Sequence, residues 1–307
     1  MRIVFFGSPD FAVPSLDALV DAGHQVVLVV SQPAKPVGRK GVVADPPVAS
    51  RAAALSLPLF QPSTLKNEEA VARLRETAAD LFVVVAYGKI LRPEVLSLPR
   101  LGCVNVHGSV LPRWRGASPV QAAILAGDET TGISIMKLDA GMDTGPVYAF
   151  RETSIGAKET ADALSGRLAT LGAGLLAETL PRIADGSLQP VAQPDTDVTT
   201  CPKITREDGR VDWTLDAAAL ERRARAFTPW PGLFAFRQER RVKLFDVEFS
   251  ASGGEVPGTV IEAGDRVVVA CGEAALAISR LQAEGRGLLP APLFVSGERV
   301  AVGERWS

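Results

Sequence analysis

Apolar residues follow two rhythms along this chain. Arg2–Gly7 (RIVFFG), His24–Ser31 (HQVVLVVS) and Asp80–Ala86 (DLFVVVA) are nearly unbroken apolar runs, the pattern of strands covered on both faces. Cys103–Ser109 and Gly132–Leu138 read as further strands, and Val147–Phe150 as a short one. Between them, Phe11–Ala22, Glu68–Ala79 and Val120–Ala126 carry apolar residues at helical spacing. Glu159–Ala184 predicts a long helix with Leu164, Leu168, Leu171, Leu175, Leu176 and Leu180 on one face. This alternation predicts an α/β fold, with a mainly parallel sheet and helices on both sides.

The rhythm breaks after Gly186. Gln189, Pro190, Gln193, Pro194, Asp195, Thr196, Thr199 and Thr200 make a polar linker. A helix is expected over Leu215–Phe227, followed by short strands at Leu233–Arg237, Arg241–Ser250, Gly258–Ala263, Arg266–Cys271 and Ala274–Leu281, with a tail near Glu298–Val302. Glycine-containing turns separate them. This count of short strands suggests a small β-barrel, OB-like by number alone. The expected organisation is residues 1–188, a linker over 189–206 and a second domain over 207–307. Gln32–Pro47 reads as a polar, Pro/Gly-rich loop, and Ser8 and Asp10 as caps for the helix near Phe11.

Composition adds limits. The 307 residues are 47% hydrophobic and 22% charged, enough for a substantial core. A formal charge of −2 excludes a globally basic nucleic-acid binder, so any such contact is local. Cys103, Cys201 and Cys271 are far apart and show no metal-ligand spacing. They read as reduced thiols of a cytoplasmic protein without a metal site. MRIVFFGSPDF reaches Pro9 and Asp10 too early for a signal peptide, and no apolar run has the length to span a bilayer.

Candidate chemistry concentrates in CVNVHGSVLPRWRG (Cys103–Gly116) and in LDAGMDTGPV, which ends at Val147. Asn105 and His107 stand two apart on a strand and share a face, while Val104 and Val106 take the other. Gly108, Ser109 and Pro112 end the strand, leaving an amide and an imidazole at the carboxyl edge of the sheet. An imidazole exchanges protons near neutral pH. A carboxamide can donate to an oxygen that gains negative charge. Asp143, between Gly141 and Gly145, could orient the ring. The set suits acyl-type transfer without a covalent enzyme intermediate. The same residues also suit a plainer role, in which Asn105 and His107 satisfy loop backbone and Asp143 caps a turn. No phosphate-binding glycine pattern competes: Gly7-Ser8-Pro9-Asp10 lacks G-x-G-x-x-G, and no G-x-x-x-x-G-K-[ST] occurs. His24 reads as structural. Cys103 shares the face of Asn105 but reads as a small core residue rather than a nucleophile.

NVHGSVLPRWRGASP together with LDAGMDTGPV resembles the folate-dependent formyltransferases, over nearly the whole chain, and most closely those that act on initiator Met-tRNA. The resemblance implies a Rossmann-like first domain, a linker and an OB-like second domain. It implies 10-formyltetrahydrofolate as formyl donor and co-substrate, no metal, and Asn105, His107 and Asp143 as the catalytic set. The folate-binding residues it implies are Ser109, Val110, Leu111 and Pro112, with Ala86, Tyr87 and Gly88 holding the pterin mainly through backbone. Val110 departs from the leucine usual at its position. In the implied mechanism the amine attacks the formyl carbon directly. Asn105 and protonated His107 stabilise the oxyanion, and His107 moves a proton towards the leaving nitrogen with support from Asp143.

Relatives within that family formylate nucleotide-linked amino sugars or glycinamide ribonucleotide, and one only hydrolyses the donor. The glycinamide enzymes lack a second domain of this size. Arg210–Trp213 and Phe227–Gly232 resemble segments found with sugar acceptors too, and do not discriminate. Ser31–Val48 resembles the tRNA-facing loop, with Lys35, Arg39 and Lys40 as cations suited to phosphates. Taken as residues alone, it equally fits a solvated loop. Arg113 and Arg115, flanking Trp114, are further candidate tRNA contacts. From Gly209 to Ser307 there are thirteen Lys/Arg and thirteen Asp/Glu, so a tRNA footprint there requires clustering, with Arg240, Arg241, Lys243, Arg280 and Arg286 as candidates. The expected protein is a monomer with no membrane contact. The alternative is a folate-sensing or RNA-binding module without turnover, for which the Asn105, His107 and Asp143 set would be superfluous.

Overall fold

In the computed structural model, which describes residues 1–37 and 41–307, the apolar runs at the start of the chain lie side by side as strands. The order is β1 (Arg2–Gly7), α1 (Val13–Asp21), β2 (Gln25–Val30), β3 (Lys35–Val37), β4 (Val42–Ala44), α2 (Pro47–Ala54), β5 (Leu59–Phe60), α3 (Glu68–Glu76), β6 (Leu81–Val85), α4 (Pro93–Leu96), β7 (Cys103–His107), β8 (Arg115–Gly116), α5 (Pro119–Ala126), β9 (Thr130–Lys137), β10 (Val147–Ser154), α6 (Ala161–Ala184) and β11 (Thr200–Cys201). Seven strands form one sheet in the order β10-β9-β7-β6-β1-β2-β5. Pairing is parallel from β7 to β5, and β9 and β10 add antiparallel beyond β7.

Alternation sorts the side chains as the pattern requires. Val4, Phe6, Phe82, Val84 and Cys103 join one cluster with Leu74 of α3 and Val95 of α4. Val106 and Ile133 face the other layer, where α6 lies against them. A Cβ at Gly172 of that helix would stand 2.8 Å from Val106 Cγ1. Glycine therefore lets α6 press directly onto the back of β7, behind Asn105 and His107.

The chain divides into two compact units. One comprises Met1–Pro119, Thr130–Ser154 and Leu164–Cys201; the other comprises Val120–Glu129, Ile155–Ala163 and Pro202–Ser307. The first unit thus continues beyond residue 188. Val191 bridges to Val147, and β11 pairs in parallel with β8. The polar stretch expected to be a free linker is docked because its backbone completes these pairings.

The second unit holds α7 (Ala217–Ala226), β12 (Leu233–Arg237), β13 (Arg240–Ser250), β14 (Val260–Ala263), β15 (Val267–Ala270), β16 (Ala275–Ala283), β17 (Leu289–Pro290) and α8 (Ala291–Glu298). Its sheet is antiparallel, in the order β12-β13-β16-β15-β14, with β17 on β16. Asp216 caps α7 by accepting from the Ala219 N–H.

Three local expectations need correction. Ser8 and Asp10 make no helix cap; the Ser8 hydroxyl instead accepts the Gln32 N–H at 3.1 Å. The loop expected over Gln32–Pro47 contains the antiparallel pair β3–β4 and gives way to α2. Near Glu298–Val302 no strand forms; α8 ends at Glu298 and the chain then turns. Pro292 fits that helix's first turn, where a missing N–H costs little, and Arg299 ends it in the left-handed region at φ 54°.

Asp80 ties the starts of β1 and β6. It accepts the Arg2 N–H and the Arg100 Nε–H, both at 2.8 Å. The Arg2 backbone bond first, and then Arg100, hold its carboxyl below the usual carboxylate range. A depressed carboxyl stabilises the fold above its unfolded pKa, and that stabilisation disappears as pH falls through the folded value. Asp80→Asn is therefore expected to lower the thermal midpoint at pH 7, and the gap from the parent is expected to close below about pH 4. Thermal melts of both proteins from pH 3 to pH 8 measure this; a gap independent of pH would refute it.

Candidate active site

β6 and β7 are neighbours and run parallel, so the turns that leave their carboxyl ends open on the same edge of the sheet. Ala86–Gly88 leaves β6 there, and Gly108–Pro112 leaves β7. This is the edge where open α/β sheets place ligands. Asn105 lies between Val84 of β6 and Met136 of β9, and His107 lies opposite Ser134. The Asn105 carboxamide is half-buried and makes no hydrogen bond to any described residue. It is a preorganised donor without a protein partner.

His107 is 5% exposed. Its Nε2 lies 2.9 Å from the Trp114 carbonyl oxygen. A carbonyl only accepts, so this contact assigns a proton to Nε2. Nδ1 faces Asp143 Oδ1 at 3.8 Å, too far for a direct hydrogen bond and close enough for a protonated ring and a carboxylate to attract. The other carboxylate oxygen of Asp143 accepts the Gly116 N–H at 2.9 Å. The three residues picked out in the sequence are therefore gathered at one place. His107 and Asp143 face each other, and Asn105 follows the same face of β7.

The Asp143 loop is built by its own residues. Asp139 accepts from the Gly141 N–H at 3.0 Å and from the Thr144 hydroxyl at 2.9 Å, an Asx-type turn. Asp143 itself takes a left-handed conformation, φ 55°. Gln193 reaches in from the docked stretch and donates to the carbonyls of Asp143 and Gly145 at 2.8 and 2.7 Å. Gly116 permits the close pairing of β8 with β11, since a Cβ there would stand 2.2 Å from the Cys201 oxygen.

Ser109 is fully buried, and its hydroxyl donates to the Arg113 carbonyl at 2.6 Å. Ser134 of β9 locks the same segment by donating to the Ser109 carbonyl and accepting the Leu111 N–H. Val110 lies against Gly132 of β9, and Leu111–Pro112 is a cis peptide. In the Ala86–Gly88 turn, Ala86 and Gly88 are exposed and left-handed, at φ 47° and 80°. Tyr87 between them is turned into the core against Phe6. Burial pushes its phenol up to about 12. The Tyr87 carbonyl accepts from Gln32 Nε2 at 3.1 Å. Tyr87 therefore offers the edge of the sheet only its backbone.

The basic residues are placed differently from one another. Lys35 is exposed on β3, and Arg39 and Lys40 lie outside the described residues. Arg113 is exposed, with its guanidinium 5.1 Å from the Trp114 ring. Arg115 donates from Nε to Gln193 at 2.9 Å, which builds it into the support of the Asp143 loop. In the second unit, Arg240, Arg241 and Arg280 pair with Glu298, Glu284 and Asp246. Those charges are matched within the unit rather than forming one uncompensated patch. Among the described residues, no three His, Cys, Asp or Glu side chains cluster as a metal site requires. No helix of the described residues is long and apolar enough to cross a membrane.

Sequence reasoning missed Gln193, Thr199, Ser134 and Gln32 as supports of this edge. The Asp139-x-Gly141 turn carried a local signal. The others act across long sequence separations and carried none.

Comparison with known proteins identifies the family. A family model described as "Formyl transferase" matches residues 1–180, and one described as "Formyl transferase, C-terminal domain" matches residues 203–299. The chain is 46% identical over 305 residues to a methionyl-tRNA formyltransferase from Myxococcus xanthus, covering 99% of this chain and 97% of that protein. It is 43% identical over 304 residues to one from Citrifermentans bemidjiense, covering 99% and 95%. Among solved structures, its fold is similar to an N-formyltransferase from Helicobacter canadensis in complex with folinic acid and dTDP-3-aminofucose. The TM-score there is 0.66, at 15% identity, over 91% of this chain and 99% of that one.

All three cysteines are buried and free. Burial pushes the Cys103 and Cys271 thiols up to about 12 and also raises Cys201. Since the thiolate is the nucleophile, the native protein at pH 8 is expected to react with a thiol reagent far more slowly than the unfolded chain. Prompt release of one equivalent from the native protein would reinstate a reactive cysteine.

Proposed function

This chain belongs to the methionyl-tRNA formyltransferase family, and from that premise we propose that it transfers the formyl group of 10-formyltetrahydrofolate to the α-amine of methionine on initiator Met-tRNA. The observation that carries the chemistry is the unpartnered Asn105 carboxamide on the same strand face as the His107–Asp143 pair. Formyl transfer needs a donor aimed at an oxygen that gains charge and a base that relays one proton, and these residues supply both.

The residues at the sheet edge suit a folate. Ser109, Val110, Leu111 and Pro112 form a rigid, partly apolar segment, and the exposed backbone of Ala86–Gly88 offers hydrogen-bonding groups to a pterin. When bound, the formyltetrahydrofolate supplies the activated one-carbon group. Asn105 donates to the formyl oxygen as charge develops on it. With Nε2–H committed to Trp114, Nδ1 is the atom of His107 that takes up a proton and passes it on. Asp143 faces Nδ1 across 3.8 Å and is itself held by the Gly116 N–H.

The acceptor follows from the relatives. Names shared at 43–46% identity over almost the full chain outweigh a likeness of fold to a sugar enzyme at 15%. In this reading the first unit, which runs on through Cys201, carries the chemistry, and residues 207–307 help hold the tRNA. Lys35, Arg39, Lys40 and Arg113 contact its phosphates, which makes affinity fall with added salt. Arg115 contributes through the Asp143 loop as well as its charge.

Asn105→Ala is expected to lower kcat by about 10²–10³-fold, as loss of an oxyanion donor does. His107→Ala and Asp143→Ala are expected to lose about 10²-fold or more, with thermal melts near the parent's. The assay follows labelled formyl from 10-formyltetrahydrofolate to initiator Met-tRNA, elongator Met-tRNA and a UDP-linked amino sugar. Label on initiator Met-tRNA alone supports the reading, and label on the sugar alone overturns the acceptor. A folded His107→Ala protein with near-parental turnover overturns the mechanism.

A further inference from the structure

We propose that Thr199 and Gln193, on the stretch between α6 and the second unit, are positioning residues: Thr199 holds the carbonyl that keeps His107 in its Nε2–H tautomer, and Gln193 holds Asp143 opposite Nδ1. The proposal rests on the formyl-transfer reading of this site. Both residues reach the reacting groups through one intervening residue.

Thr199 acts on the ring through Trp114. Trp114 is held in a left-handed conformation, φ 59°, which a tryptophan does not adopt without support. Its N–H donates to the Thr199 hydroxyl at 2.8 Å. The backbone of Thr199 grips the same segment from both sides: its carbonyl accepts the Arg115 N–H at 2.9 Å, and its N–H reaches the Pro112 carbonyl at 3.4 Å. The Trp114 carbonyl is thereby fixed, and that carbonyl receives His107 Nε2. If the peptide rotates, Nε2 loses its acceptor, and the ring proton is free to settle on Nδ1.

Gln193 acts on the carboxylate. Its Nε2 gives both of its hydrogens to backbone, one to Asp143 and one to Gly145, and its Oε1 accepts from Arg115 Nε. Asp143, like Trp114, is a non-glycine residue in the left-handed region. The two bonds hold the Asp143–Thr144 and Gly145–Pro146 peptides and so fix where the Asp143 carboxylate points. A glutamate in place of Gln193 keeps the shape and the acceptor for Arg115 but cannot donate. Both clamps bear on the same 3.8 Å gap between Nδ1 and Oδ1, one from each side.

The chain has only two histidines, so ring ¹⁵N spectra read the tautomer of His107 directly, with His24→Gln assigning the other ring. The parent is expected to show neutral His107 with its proton on Nε2. Thr199→Val should bring in the Nδ1–H form, and Thr199→Ser should restore the parent spectrum. Thr199→Val, Gln193→Ala and Gln193→Glu should each lower kcat about tenfold or more, as misplacement of a catalytic group does, with KM for both substrates within about twofold. A parental tautomer and kcat in folded Thr199→Val, or parental kcat in Gln193→Glu, would overturn the proposal, as would a loss confined to KM. Should the parent transfer no formyl group to any acceptor, the functional reading fails, while the ring spectra still decide the tautomer lock.

Discussion

A backbone carbonyl can accept a hydrogen bond and cannot donate one, and the bond that Trp114 receives from His107 Nε2 rests on that asymmetry. It commits one ring nitrogen and leaves the other facing Asp143. The direction in which the carboxylate must lie, and the side from which a proton can come, follow from it. The cis Leu111–Pro112 peptide, the left-handed Trp114 and the pairing of β8 with β11 all lie in the short path that brings this carbonyl to the ring.

The fold's contribution is to make that path short. β7 lies between a parallel neighbour and an antiparallel one, and its back is sealed by α6 at Gly172. His107 therefore emerges at the sheet edge from a rigid base rather than from a mobile loop. The His107 and Asp143 side chains are 6% and 15% exposed. Burying such a pair costs desolvation energy that their attraction need not repay. The Gly116 N–H and the Trp114 carbonyl offset part of that cost. The pair is better understood as kept for its chemistry than for stability.

Much of this was legible in the chain because it depends on local periodicity. The period of two put Asn105 and His107 on one face and Val106 on the other, and the apolar runs marked β1, β2, β6 and β7 to within two residues, while β10 runs to Ser154, four residues past its expected end. Tyr87 was harder. As part of Ala86-Tyr87-Gly88 it read as a turn residue, but left-handed flanks swing its ring into the core. Ser8 looked like a helix cap, yet its hydroxyl serves Gln32, a contact across the sheet edge that spacing cannot reveal. Gln193 and Thr199 were illegible for a more general reason. A polar stretch docked by hydrogen bonds and a polar stretch in water have the same composition, and only the distant partner distinguishes them. That Asp143 could orient the His107 ring was read from its glycine-flanked loop after a strand, but the distance between them comes only from the fold.

The pairing of β11 with β8 bears on modularity. Composition changes near Gly186, and a chain divided there would keep every strand of the large sheet, Asn105, His107 and Asp143. It would lose Gln193, Thr199 and the β11 partner of Gly116. The seam between units falls after Cys201. A chimera that exchanges everything from Pro202 onward keeps Gln193 and Thr199 with the segments they bond to, although those residues have the composition of a tether.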